Sequence, residues 1–227
     1  MLNQTKFNSE ESVAALGEWH PLAAQLGSAE GLVTLGNAAG ALKLPRVENR
    51  DTLFQFLQAY FRQILVPVEL PAILHAYHLA ERNEARELIA FDQHLARDPR
   101  LRDFARASQR VGQCHLKKLK PLRDVRVIQR YLAAVEAEKA HGWHTLVYGL
   151  TLSVYSLPLR QGLLVYAHQT MAGFVRAAAR TLKLTEAETR RLCEGLCEHL
   201  PEALSRVLSL QAVRGPGVRY PDFSHPG

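Results

Sequence analysis

HTLVYGLTLSVYSLPLRQGLLVYAHQTMAGFVRAAAR, residues 144–180, decides how this chain folds. From His144 to Leu182 the only Asp, Glu, Lys or Arg side chains are Arg160, Arg176 and Arg180. The apolar and small residues do not alternate as in a half-buried strand, and Pro158 divides the run into two pieces of helical length. Helices apolar on all sides must be buried on several. They therefore form either the central pair of a helical domain or part of an interface between copies.

Working upstream, apolar residues keep the helical period. Leu53, Phe54, Leu57, Tyr60, Phe61 and Ile64 make a stripe behind a predicted cap at Asp51, and Pro67 and Pro71 then punctuate the chain. Pro71 suits the first turn of a helix running through Ile73, Leu74, Tyr77 and His78 to Asn83. A further helix holds Leu88, Ile89, Phe91 and Leu95 and stops before Asp98-Pro99, where Asp98 is predicted to cap the next. That next helix, from Leu101 to Leu119, ends at Pro121. Asp124 opens another, with Val127, Ile128, Tyr131 and Leu132 on one side and His141-Gly142 as its stop.

Downstream, Thr185 and Glu188 have capping-box spacing ahead of Leu192, Leu196 and Leu200, and Pro201 interrupts or bends that helix. The expected fold is all-α: one helical domain of about nine or ten helices over residues 1–210, with a Gly/Pro-rich tail, QAVRGPGVRYPDFSHPG, at 211–227. No strand, internal repeat or interdomain linker is predicted.

Composition agrees. The 227 residues are 47% hydrophobic and 22% charged, which excludes disordered, collagenous and disulfide-scaffold chains. Three cysteines, Cys114, Cys193 and Cys197, point to a reducing compartment, and residues 1–15 lack the apolar core of a signal peptide. No run reaches the length of a membrane span, so a cytoplasmic protein is expected. The formal charge of +6 is uneven: residues 1–95 carry 7 basic and 11 acidic side chains, whereas residues 96–130 carry 11 basic and 3 acidic. One basic face, rather than a basic surface, follows.

Motifs for catalysis are missing. GxxxxGK[ST], GxGxxG after a strand, HExxH and GxSxG do not occur. Gly27, Gly31, Gly36 and Gly40 punctuate an Ala-rich stretch as loop or packing glycines. Cys193 and Cys197 lie four apart beside His199, but two thiols without further ligands read as small hydrophobes rather than a closed metal site. His141 and His144 read as helix-terminal or core histidines. The basic segment alternates with apolar residues as a solvated helix face does. Its aromatics, Phe104 and Tyr131, read as core, which disfavours nucleic acid as its partner.

Residues 144–180 resemble the UreF family of urease accessory proteins, through His144, Val147, Gly149, Pro158, Tyr166, Ala177, Ala178 and Arg180. ELPAILHAYHLAER, a helix containing Asp92, and the Ser-Gln-x-x-Gly pattern of Ser108, Gln109 and Gly112 extend the resemblance upstream. HPLAAQLGSAEGLVTLG offers Pro21, Ser28, Gly31 and Leu32, with Val33 where the family has Glu, and the carboxyl end departs from the family's Arg-His-Glu-Thr. The resemblance implies a homodimeric helical chaperone that binds the UreH/UreD accessory protein, recruits a UreG-type GTPase and helps direct nickel into urease apoprotein. It implies no catalysis and no firmly bound cofactor, nickel being handled by the complex. Two other readings stand beside it: a basic helical nucleic-acid-binding or regulatory protein, and a UreF-like scaffold with changed partners.

Overall fold

A computed structural model describes residues 39–214, apart from residue 41 and the side chains of 210–214. Among the described residues there are nine α-helices and no strand. The first, α1 (Arg50–Tyr60), is capped by Asn49, not by Asp51 as the sequence suggested. The Asn49 side chain accepts the N–H groups of Asp51 and Thr52, and the Thr52 hydroxyl returns to the Asn49 N–H. Asn49 lies two residues upstream of the predicted cap, in extended backbone that a cap requires.

Pro67 does not break the chain. The rod continues from α1 through Phe61–Glu69 in a wider π-helical register and on into α2 (Leu70–Glu81). Pro67 cannot donate to a carbonyl four residues back and its ring would clash there, so the backbone closes five-residue turns instead: Leu70 N–H bonds to Leu65 O. Pro71 sits in the first turn of α2, as predicted.

A left-handed Asn83 turns the chain into α3 (Ala85–Leu95). Asp98 then takes the Arg100 N–H and guanidinium, opening a short 3-10 turn that feeds α4 (Arg102–Lys118). Next, α5 (Arg126–Glu136) starts two residues past Asp124, and it ends well before His141-Gly142. Those two residues belong to the following loop, and their own hydrogen bonds are made to other helices. The central pair is α6 (His144–Val154) and α7 (Leu159–Thr181), separated at Pro158. The Thr185–Glu188 capping box opens α8 (Glu186–Cys197), and Pro201 stands in the first turn of α9 (Leu200–Arg214). That last helix runs into the predicted tail, so 211–214 are helical; residues 215–227 lie outside the described residues.

The charge-poor helices resolve the choice between core and interface. Every residue from His144 to Leu152 is buried within a single chain, and α7 buries twelve more. Their apolar surface is therefore consumed inside the domain. Helix α6 lies against α2 on one side and α4 on the other, while α7 crosses α1, α2, α8 and α9. Phe56, Tyr60 and Phe104 gather with Phe174 of α7 into an aromatic centre, with neighbouring ring centroids 4.8–6.2 Å apart. Helix α3 pairs with α5 at one flank.

Candidate functional site

The most constrained region is where the loop between α5 and α6 crosses α4. Gly112 sits beneath it. A Cβ built there would lie 2.1 Å from Gly142 O and 2.6 Å from His144 N, closer than any side chain permits. Gly142 itself turns with φ +75, a left-handed conformation that favours glycine. Ser108, one turn before Gly112, accepts the His144 N–H at 3.2 Å, and Gln113 donates to His141 O at 2.9 Å. A second clamp comes from α3. Asp92, wholly buried, accepts the Tyr131 hydroxyl at 2.6 Å, the His141 N–H at 2.6 Å and the Gly142 N–H at 2.9 Å. Gln93 adds a bond to Lys139 O.

These contacts answer a general requirement. A loop that enters the interior must find partners for its backbone, because an unpaired buried N–H or carbonyl costs about 1–3 kcal/mol. Asp92 meets that need with a charge-assisted acceptor reached from three donors. Burial and the neighbouring Asp92 carboxylate hold the Tyr131 phenol well above its ordinary pKa, so it remains a donor.

From this junction a polar seam runs inward. His144 heads α6 and its ring touches those of His115, Tyr148 and Tyr166. Tyr148 donates to Gly162 O at 3.0 Å, fixing α6 to α7. Tyr166 hydrogen-bonds to Glu69, which also accepts the Tyr60 hydroxyl at 2.8 Å. Burial raises the Glu69 carboxyl to about 7, its two phenol donors offsetting only part of the desolvation. Gly149 lies where α6 meets α2: a Cβ there would come within 2.4 Å of Ile73 O.

Five of the sequence-predicted positions thus converge: Ser108, Gly112, His144, Gly149 and Tyr166. The other three described positions do not join them. Gln109 is half-buried on α4, Pro158 is exposed at the head of α7, and Arg180 is exposed in its last turn. Ser28 and Gly31 lie outside the described residues, as do Gly27 and Gly36. At Gly40 a Cβ would meet nothing within 4 Å among the described residues, so none of the described helices packs closely there. Sequence reasoning missed Glu69 and left Asp92 without a role; an isolated acid inside an apolar stretch, PVELPAIL, is the signal that would have found the first.

Chemically, the arrangement fixes positions more than it activates groups. Burial pushes the Cys193 thiol up and the Cys197 thiol to about 12, away from thiolate formation. Tyr60, Tyr148 and Tyr166 are all raised by desolvation. Among the described residues no three His, Cys, Asp or Glu side chains gather as a metal-binding group. No helix among them is long and apolar enough to cross a membrane.

Comparison with known proteins places these features in a family. The sequence model of UreF matches residues 47–197, leaving 1–46 and 198–227 outside, where the divergent ends were noted. Urease accessory protein UreF of Psychrobacter cryohalolentis is 26% identical over 170 residues, covering 75% of this chain and 71% of that protein. The UreF protein of Alkalilimnicola ehrlichii is 25% identical over 165 residues, covering 73% and 70%. That of Ureaplasma urealyticum is 20% identical over 161 residues, covering 70% and 68%. The matched span takes in α1 to α8, with the Gly112 crossing, the Asp92 clamp and the central helix pair at its heart. On that match the chain belongs to the UreF family of urease accessory proteins.

Proposed function

We propose that this chain is a non-catalytic chaperone for urease maturation. It seats a UreG-type GTPase together with the UreH/UreD accessory protein, as a homodimer, and nickel passes to urease apoprotein as cargo of that complex, with no cofactor held firmly by this chain. The family match over residues 47–197 carries the reading. The interior supports it: five of the motif positions are spent on backbone crossings and a buried polar seam, which hold the helices rigid and leave their outer faces for partners.

A rigid platform can couple a GTPase to delivery if one nucleotide state of the enzyme binds it better than the other, since the affinity difference is the free energy available to drive release. Deleting the gene in its own cell is expected to abolish urease activity and nickel content while urease protein accumulates. The UreG-type GTPase is expected to co-purify with the chain in a nucleotide-dependent way. Normal urease nickel content in the deletion strain would overturn the proposal.

A further inference from the structure

Trp143, the last residue of the crossing loop, is the N-cap of α6 and is 2% exposed. Its backbone is fully engaged: the carbonyl accepts the Leu146 and Val147 N–H groups, and its own N–H donates to the Tyr131 hydroxyl oxygen. Its indole Nε1 is buried and, among the described residues, meets no acceptor. Buried donors in native proteins are nearly always paired, either with protein or with ordered water. Trp143 also lines a small interior cavity, together with Glu69 of the π-helical segment, Ser108 of α4 and Thr145 of α6; the rest of the lining is apolar. All four of these residues are more than nine-tenths buried. The cavity leaves about 10 Å³ for the centre of a water molecule, which is room for one.

We propose that this cavity is a hydration site, in which one ordered water accepts the Trp143 indole N–H and donates to the Glu69 carboxyl. The chemistry of the lining selects that occupant. An indole N–H only donates, so it disfavours a metal ion or an ammonium group, while the acid of Glu69 disfavours an anion. The occupant must accept on one side and donate on the other, and in a space of this size water does both. Ser108 supplies a further partner: its oxygen takes the His144 N–H, and its own proton is left for the water. A buried water typically makes about three such bonds. Glu69 also changes protonation near neutrality, and a water can turn to serve either form, which a fixed protein donor cannot. The site stands whether or not the chain binds a GTPase.

A crystal structure of the full chain, at a resolution that orders surface waters, tests this. The expected result is one water about 2.8–3.2 Å from Trp143 Nε1 and within the same reach of a Glu69 carboxyl oxygen. A protein acceptor on Nε1, or a cavity without solvent density where surface waters are well ordered, overturns the inference. Persistence in solution is read by nuclear magnetic resonance on full-length chain carrying isotope-labelled tryptophan. The chain has two tryptophans, and Trp19→Phe leaves the Trp143 indole as the single signal. Its N–H proton is expected to cross-relax with water with opposite signs in the laboratory and rotating frames, the mark of a water held for longer than the molecule takes to tumble. Cross-relaxation of equal sign, or none, overturns the inference as well.

Discussion

Gly112 on α4 lies so close under Gly142 that the carbonyl oxygen of the second occupies the space a side chain on the first would need. The two glycines let the loop before α6 cross the helix in contact with its backbone. Gly112→Ala must lift the loop, and with it the bonds to Ser108 and Asp92. Urea unfolding is expected to show a loss of about 3 kcal/mol or more. Gly195→Ala is the contrasting case: that glycine lies in exposed α8 with open space around it, and alanine there is expected to gain about 0.5–1 kcal/mol.

Asp92 is expected to be the most sensitive single side chain. Asp92→Ala strands a buried phenol and two buried backbone donors together, which calls for a loss of about 3–5 kcal/mol. Tyr131→Phe leaves the carboxylate its two N–H partners and is expected to cost only about 1–2 kcal/mol. Equal losses for the two variants in thermal unfolding would contradict the clamp described here.

Glu69 ties stability to pH near neutrality. Its folded pKa is raised from 4.5 to about 7, so between those values the native chain holds a proton that the unfolded chain has released. Stability from this group therefore falls as pH rises from about 4.5 to 7, by something on the order of 3 kcal/mol, and stays lowered above. Glu69→Gln keeps an acceptor for Tyr60 and removes the titration. The stability difference between variant and wild type, followed by denaturation from pH 4.5 to 8, is expected to grow in the variant's favour with pH; a flat difference would contradict the assignment.

His75 and His115 act in the opposite direction. Burial lowers both from 6.5 to about 4, so the unfolded chain takes up protons first as pH falls through that window. Stability from these two is present above about pH 6.5 and is lost progressively toward pH 4. Replacing both with Gln is expected to flatten the acid limb of the wild-type profile, measured as denaturation midpoint against pH.

Legibility from sequence divides along a physical line. The caps at Asp98 and at Thr185–Glu188 involve residues a few positions apart, and local spacing reveals them. The burial of α6 and α7 follows from their lack of charge, and Phe104 and Tyr131 are core as their periodicity requires. What spacing could not reveal depends on distant partners. Asp92 sits on a helix with exposed charges nearby, and its burial makes sense only once Tyr131 and residues 141–142, thirty-nine to fifty positions away, are seen around it. Gly112 was singled out by its motif, yet the reason it must be glycine is a carbonyl on another element. Asn49 displaced Asp51 as a cap because the helix begins two residues earlier than the acid suggested, within the ordinary uncertainty of helix ends.

The wide turns around Pro67 also set a phase. Tyr60 and Glu69 are nine residues apart, about two and a half turns at ordinary α-helical pitch, which would point them to opposite sides of the rod. Five-residue turns cover the same stretch in about two, and the two side chains meet at 2.8 Å. A ring that denies the backbone one hydrogen bond is thus what rotates an acid out of water and into the aromatic centre, so the proton affinity of the core is written in the helix's winding as much as in its side chains.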